Sequence, residues 1–562
     1  MPKTKVPVKV AHRSGFDKSH VHQGTSLVGV LTPVMLDEVI PNSKIRLKID
    51  LGASLPPLAA DTFMKCDIAV EAFFCPHRLC YGGFESWFSQ RKDAYLEDDA
   101  ISRYTPYMPE VQLDFAGDSD GIRKYFGHRG LPDYLGWSNS GNLSAGGTIF
   151  NLNPLPFIAY HLIWQHFYRQ PLVQNECFVR PSVKSNYNIL ETSGVGIVAS
   201  LPYLSLGELQ YVLSASSYEG QMDFFSLADG VNLFQLRKRN FDYDYFTNAY
   251  PSPTLGDDVE VHTTDLRFTI ASLRAANAIA DFQQKNQIAG TRYNDTLKAR
   301  YGATLSDGVA QRPVCLGAAR YNVYNRSMVV SGTNPSDNYT NPFNKVAGGV
   351  QGNAYASGSD LIIDDFTANE PGYIMVIMSL VPTVTYSTAL DRIFTRYCLS
   401  YNSESSEVGP AGQLGDMAVA DLQGVGNQPI YQYELHGKPT TTVGGRYKIF
   451  GYTDRFADWM VKHDRISGLF RSGLSLSAFV SQRYFRDSDD VVLGTNFLEI
   501  PTDYLDNVTA VSGDASQYGY WFECKFNYFV SQPLYEYSIP SLINPAYEHG
   551  DTVMIHRGGF RF

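Results

Sequence analysis

Three stretches of this chain alternate apolar and polar residues with a period of two, and that pattern restricts the fold more than any other feature. Lys44–Leu51 sets Ile45, Leu47, Ile49 and Leu51 on one side and Lys44, Arg46, Lys48 and Asp50 on the other. Cys66–Phe74 repeats the pattern with Ile68, Val70, Ala72 and Phe74. Phe522–Val530 alternates Phe522, Cys524, Phe526, Tyr528 and Val530 against Glu523, Lys525 and Asn527. Successive side chains of a strand point to opposite faces, so each stretch predicts a half-buried strand. Half-buried strands need a second apolar layer, and an antiparallel sandwich supplies it. Tyr373–Leu380 is a near-continuous apolar run and predicts a strand buried on both faces. Tyr431–Leu435 and Tyr447–Tyr452 also read as strands. The strand signals cluster towards both ends, with helices and loops between. The chain has 47 Gly and 29 Pro with only 18% charged residues, which suits short strands joined by long ordered loops and argues against a helical bundle.

Asn153–Pro171 reads as one short helix. Asn153 is a good N-cap, Pro154 and Pro156 fall in the first turn, and Pro171 ends it. Phe157, Tyr160, Trp164 and Phe167 recur at helical spacing, and Leu162 and Ile163 make the other side apolar, as in a buried core helix. Leu266–Gln287 reads as a second helix, with Leu273, Ala276 and Ala280 on its apolar face. From Pro76 to about Asn153 the chain is turn-rich, residues 181–235 mix short strands and turns, and residues 331–360 read as a long surface loop. There is no internal repeat.

The net charge is −11, so the chain carries no global basic footprint for nucleic acid. Local exceptions exist. Residues 1–26 hold Lys3, Lys5, Lys9, Arg13 and Lys18 against Asp17, and read either as an extended arm or as a frayed tail. Arg237, Lys238 and Arg239 form the densest basic run and precede Phe241, Tyr243, Tyr245 and Phe246. Cations beside stacking rings suit single-stranded DNA, while a solvated strand edge or a subunit contact has the same composition. Arg557 and Arg561 alternate with Phe560 and Phe562 near the C-terminus and could stack unpaired bases in the same way.

No catalytic constellation stands out: there is no phosphate-binding loop, no H-E-x-x-H and no G-x-S-x-G. His161 and His166 lie five apart, about 140° around a helix, and so do not chelate together. The seven cysteines are scattered, with no C-x-x-C pair. Cys75 and Cys80 flank His77, which leaves a metal site or buried free thiols, and free thiols fit synthesis in a reducing cytosol. Asp487, Asp489 and Asp490 form an acidic turn short of the oxygen ligands calcium needs. Residues 1–26 are basic and polar with no apolar core, so no signal peptide is expected. No apolar run reaches the roughly 18 residues of a membrane-spanning helix.

A set of short motifs then gives the chain a family likeness. They are Phe16-Asp17-Lys18-Ser19-His20, Thr32-Pro33-Val34 leading to Glu38-Val39-Ile40-Pro41, and Phe73-Phe74-Cys75-Pro76-His77-Arg78. After Pro156-Phe157 to Arg169 come Leu236 to Arg239 with Asp244-Tyr245-Phe246-Thr247, and Leu273-Arg274-Ala275-Ala276 with Gly290-Thr291-Arg292-Tyr293 and Gln311-Arg312-Pro313. Glu370 to Ile374, Tyr452 to Trp459, Ile466 to Arg471 and Tyr537 to Pro540 complete the series. Taken in order, the set resembles the major capsid protein of the Microviridae, the small single-stranded DNA phages, and most closely the gokushovirus-like branch.

The resemblance implies an eight-stranded antiparallel viral jelly roll with long loop and helix insertions over about residues 76–370. Residues 1–26 would be an N-terminal arm and 27–562 a single capsid domain. It implies a structural protein and no enzyme, with no cofactor. Copies of the chain would assemble into a T=1 icosahedral shell around circular single-stranded DNA, made in the host bacterial cytoplasm. Other virion or scaffolding proteins and a host surface receptor are implied partners, without membrane insertion. The arm, through Lys3, Lys5, Lys9 and Arg13, and the tail would then contact DNA. A separate small basic DNA-binding protein, which phages of this family encode, would supply further neutralisation. Residues 181–235 and 331–360 would carry the outward variable surface. Abundant Tyr and Trp over strands leave one alternative, a carbohydrate-binding or carbohydrate-cleaving β-sandwich protein.

Overall fold

A computed structural model describes residues 13–59, 62–81, 111–114, 125–137, 149–178, 229–253, 312–329, 350–394, 427–437, 448–454, 456–485, 490–509 and 519–534, with a few isolated positions between. Two antiparallel sheets face each other. The six-stranded sheet takes β1 (Ser14–Asp17), β2 (His20–Ser26), β4 (Ser43–Ser54), β9 (Tyr324–Val329), β10 (Val350–Ala368) and β14 (Tyr520–Gln532). The four-stranded sheet takes β3 (Thr32–Val39), β5 (Cys66–Pro76), β8 (Val314–Asn322) and β11 (Gly372–Pro382) in the order β3-β11-β5-β8. Two small pairs lie outside them: β6 (Val111–Asp114) with β7 (Ile149–Leu152), and β12 (Asn427–Tyr431) with β13 (Ile449–Asp454). This is the expected mainly β antiparallel sandwich of jelly-roll type, whose facing sheets hold six and four strands among the described residues.

The predicted alternation builds the core directly. β4 is the centre of the larger sheet, paired with β14 on one side and β10 on the other. Ile45, Leu47, Ile49 and Leu51 of β4 and Phe522, Cys524, Phe526, Tyr528 and Val530 of β14 all point inward. They meet Ile68, Val70, Ala72 and Phe74 of β5 and Ile374, Val376, Met378 and Leu380 of β11. β5 and β11 differ from β4 in one respect: their second face is covered too. Phe73, Cys75, Tyr373, Met375 and Ile377 pack into a second core against the helix Leu155–Ile163. That layer explains why all of β11 is buried, as its unbroken apolar run predicts, and why β5 is more buried than its alternation alone suggests.

Several boundaries differ from the sequence reading. Residues 14–26, expected within the free arm, form β1 and β2 on the edge of β14. The reason is backbone satisfaction, because β14 pairs with β4 on one side and its other edge would be open without the N-terminal strands. The expected loop over 331–360 holds strand from residue 350 on, where β10 pairs with β4 and β9; residues 331–349 lie outside the described residues. Gly352 and Gly358, which read as loop residues, lie within that strand, where a Cβ on Gly358 would fall 2.1 Å from the Tyr321 ring. Tyr431 ends β12, and Gln432–His436 is a helical turn capped by Glu434, whose carboxylate accepts the Tyr431 backbone N–H at 3.1 Å. Of Leu266–Gln287, only Arg274, Ala278 and Ile279 are described, each helical.

The helix expected over Asn153–Pro171 is shorter than predicted. It runs Leu155–Ile163 and passes into a π turn, Trp164–Tyr168, which Arg169 closes by donating its backbone N–H to Trp164 O at 3.0 Å. Pro154, and not the expected Asn153, stands at the N-cap, while Asn153 one residue earlier accepts the Leu155 N–H at 3.0 Å and so satisfies one first-turn donor. The wider turn swings Phe167 and Tyr168 onto Phe73, at ring separations of 4.8 and 6.0 Å. Trp164 is 3% exposed, lies under the Arg237 guanidinium at 4.4 Å, and donates its indole N–H to Lys238 O at 3.3 Å. Trp164→Ala is therefore expected to destabilise the subunit by about 3–5 kcal/mol. Chemical denaturation of the purified variant checks this, and a loss below about 1 kcal/mol would show that the ring contributes no core packing.

Candidate nucleic-acid and assembly surfaces

The basic run Arg237-Lys238-Arg239 is the first candidate, and its two arginines face inward. The segment runs along the turn after β2: Leu31 donates its backbone N–H to Arg237 O at 2.9 Å, and Arg239 donates to Gly29 O at 2.7 Å. Gly29 has φ +70, and a Cβ there would fall 2.5 Å from the Ile500 side chain, so the close approach needs glycine. Arg237 is 4% exposed. Its guanidinium pairs with Asp229 and donates from Nε to His161 Nδ1 at 2.9 Å. Arg239 holds Glu71 in a fork at 3.0 and 3.2 Å, reaches Ser379 Oγ at 3.2 Å, and lies over the Tyr168 ring at 5.3 Å. Each buried guanidinium is neutralised by a carboxylate of the same chain, which is how a buried cation is tolerated. The expected DNA contacts at Arg237 and Arg239 are thus corrected: both stitch the helix layer to the sandwich. Lys238 is half-buried, and its backbone bridges to Val30.

His161 belongs to this network. Nδ1 accepts from Arg237, and Nε2 donates to Leu233 O at 2.8 Å, which fixes the neutral tautomer. Burial, with the Arg237 charge added, holds its pKa well below the ordinary 6.5. Other groups weighed for metal binding in the sequence are likewise engaged. Cys75 and Cys80 approach to 3.6 Å between sulfurs, and burial pushes the Cys80 thiol up. His77 between them faces Glu38 at 3.1 Å. Asp490 meets Lys448 at 2.6 Å; Asp487 and Asp489 lie outside the described residues. Among the described residues no three His, Cys, Asp or Glu side chains converge as metal ligands would.

The described residues nearest the two termini meet at one corner of the six-stranded sheet. β1 pairs with the end of β14, Ser14 opposite Gln532 and Phe16 opposite Val530. Arg13 donates from Nη2 to Asn42 Oδ1 at 2.8 Å, which pins the root of the N-terminal segment to the β3–β4 turn. Lys18 forms an ion pair with Asp37 at 2.9 Å, and the Tyr528 hydroxyl donates to the same carboxylate at 2.7 Å. Lys3, Lys5, Lys9, Arg557, Phe560 and Arg561 lie outside the described residues.

Beside this corner is a groove of about 680 Å³ lined by Phe16, Asp17, Lys44, Arg46, Asp364 and Phe529 among others. β10 shifts register twice here, between Leu361 and Ile363 and between Ile363 and Phe366, and these bulges turn Asp364 and Asp365 outward. The sheet's outer face exposes Trp521 and Phe529 between Lys44, Arg46, Lys48, Lys525 and nearly as many acids. Sequence reading passed over this face, although the same alternation that buries Phe522 and Val530 sends Trp521 and Phe529 outward. Its balanced charge and aromatic content match protein contacts better than a phosphate track.

The His161 geometry carries a pH dependence with a definite sign. The unfolded chain binds a proton near pH 6.5 that the folded state refuses, so stability is full above about pH 6.5 and falls as the pH drops below it. The subunit's melting temperature is expected to decline from about pH 7 to pH 5. His161→Gln should make that decline shallower, with His77 and His463, shifted the same way by burial, supplying the remainder. An unchanged slope in the variant would show that His161 takes no part.

Comparison with known proteins identifies the family to which this β-sandwich chain belongs. The capsid protein (F protein) family matches residues 4–542. The chain is 23% identical to capsid protein VP1 of Chlamydia phage 1, across 96% of this chain and 97% of that protein. It is 22% identical to capsid protein VP1 of Bdellovibrio phage phiMH2K, across 95% and 96%. The carbohydrate-active alternative gives way to these matches, which span the core strands, the helix layer and the buried arginine network alike. The chain belongs to the phage capsid protein (F protein) family of the Microviridae, as a structural major capsid protein of the virion.

Proposed function

We propose that copies of this chain assemble into a T=1 icosahedral shell, one chain type in every position, around circular single-stranded DNA. The observation that carries the DNA side of this reading is the pairing of Ser14 with Gln532. It starts the basic N-terminal segment and the C-terminal tail from neighbouring points of one sheet. Lys3, Lys5 and Lys9 from one and Arg557, Phe560 and Arg561 from the other can then serve a single patch of genome, with Arg13 as the anchored root. The arm is residues 1–12, and the sandwich with its insertions is one domain. Of the expected outward surface over residues 181–235, Leu227, Leu233 and Phe234 are instead buried in the second core, so the outward surface that meets a host receptor is assigned to residues 181–226 and 331–349.

A chain with net charge −11 neutralises little DNA in bulk, because each phosphate contact requires a cation. The proposal therefore includes a small basic DNA-binding protein beside the genome and scaffolding or other virion proteins during assembly in the host cytoplasm. The mechanism is assembly without chemical turnover. Buried thiols such as Cys177, pushed up to about 12 by burial, suit synthesis in a reducing compartment, since they neither ionise nor react there.

Binding of the purified subunit to single-stranded oligonucleotide as a function of salt tests the DNA contacts. Binding is expected to be weak with a shallow salt slope, and removal of residues 1–12 should lower the slope by about 0.7 for each phosphate that the arm had neutralised. Tight binding unchanged by removal of both terminal segments would place the contacts on the folded wall and overturn the assignment.

A further inference from the structure

We propose that the loop over residues 465–479, with Phe63 beside it, is a preformed docking knob that inserts against a second copy of this chain. The observation is an apolar tip held rigidly in solvent. Leu469 is 56% exposed, Leu474 46% and Phe63 69%. A flexible loop would fold such side chains back onto the surface, because each exposed apolar Å² costs about 25 cal/mol.

This loop is prevented from doing so by its own hydrogen bonds. Arg471 donates its backbone N–H to Gly468 O, Leu474 to Arg471 O, Leu476 to Leu469 O at 3.2 Å, and Phe479 to Leu476 O at 3.1 Å. Gly468 and Gly473, at φ +66 and +80, make the two reversals. The base is tied down as firmly. Ser472 donates its N–H to Ser387 Oγ at 3.0 Å, and Gln482 Nε2 donates to Phe470 O at 2.9 Å. Phe63 is fixed to the same unit, its N–H on Phe479 O at 2.7 Å and its ring edge-on to Phe470 at 6.1 Å. A surface ordered before contact pays little entropy on docking, which favours an interface over a solvated loop.

Charge selects the occupant. Around the tip, Lys65 is paired with Asp464 at 3.7 Å and Lys462 with Asp391 at 3.0 Å, which leaves Arg465 and Arg471 as its excess charge. The whole chain carries −11, so the remainder of every copy is acidic and complements a basic knob. Two knobs facing each other would oppose like charges. The contact is therefore heterologous, knob to a different surface of the neighbour, the type that closes rings of subunits. Nucleic acid fits less well, because leucine offers no flat ring for a base to stack on.

This inference rests on the shell reading, and the test separates the two. Benzoylphenylalanine is introduced at position 63, and in a second variant at position 474, and particles are purified and irradiated. The expected product has twice the chain mass, with the cross-link joining the knob to a peptide outside residues 462–484 of another copy. A cross-link to a different protein, to DNA, only within the same chain, or knob to knob overturns the proposal. As a second measurement, Leu469→Ser with Leu474→Ser should keep the wild-type melting temperature of the subunit while particle yield falls about tenfold or more. Wild-type particle yield from that double variant would overturn it as well. Absence of particles from the unmodified chain under the same expression would count against the shell reading, and the dimer-mass cross-link would then be sought in the soluble subunit, where its absence again defeats the knob.

Discussion

The pairing of β4 with β14 is the constraint on which the rest of the structure depends. It joins residues near position 50 to residues near position 525, Asp50 opposite Lys525 and Ile49 opposite Phe526. One seam joins the two ends of the fold and sets the inward face of both strands, and the long segments between the remaining sandwich strands are accommodated as insertions. Because side-chain direction alternates, a slip of one residue along this seam would turn Phe522, Phe526 and Val530 to solvent and bring Lys525 and Glu523 inside. The register is thus specified by the same residues that form the core. The cost lies in kinetics, since such a distant contact must form against a large loop-closure entropy.

The second core shows how an inserted helix becomes part of the sandwich. The Leu155–Ile163 helix covers the back of β5 and β11 with apolar side chains, and the polar ties at its ends are buried ion pairs and hydrogen bonds. Tyr160 donates its hydroxyl to Leu31 O at 2.7 Å and accepts the Arg237 backbone N–H at 2.9 Å, so one phenol joins helix, turn and basic segment. Breaking such a network from one side leaves a buried charge without its partner, which costs more than the pair itself contributes. These groups give the layer a single position over the sheet, more than they add net stability.

Much of this was legible in the sequence, for reasons that differ by element. β4, β5, β11 and β14 announce themselves because one side or both sides of each is apolar, and the structure buries those sides. β1 and β2 do not, since they are short edge strands rich in His, Gly and Ser whose place is set by the open edge of β14 and not by their own composition. β10 was hidden by Gly352, Gly358 and its serines, and its strand is imposed by β4. Arg237 and Arg239 show the limit most clearly. Charge is visible in a sequence, but the carboxylates of Asp229 and Glu71 that cancel it come from 8 and 168 residues away. The Leu469 and Leu474 tip was equally out of reach, because exposure is a property of the folded surface.

The antiparallel neighbours Ser14 and Gln532 also govern how such a chain can grow over evolutionary time. Residues added next to Ser14 or Gln532 start from one corner of one sheet, whereas residues added within a loop start from the ends of strands elsewhere. Length can therefore be redistributed in two independent ways, one altering what gathers at the terminal corner and the other altering the remaining surface, with the β4–β14 seam untouched by either. A lineage can change its outer relief without renegotiating the contacts made by its chain ends, and the reverse.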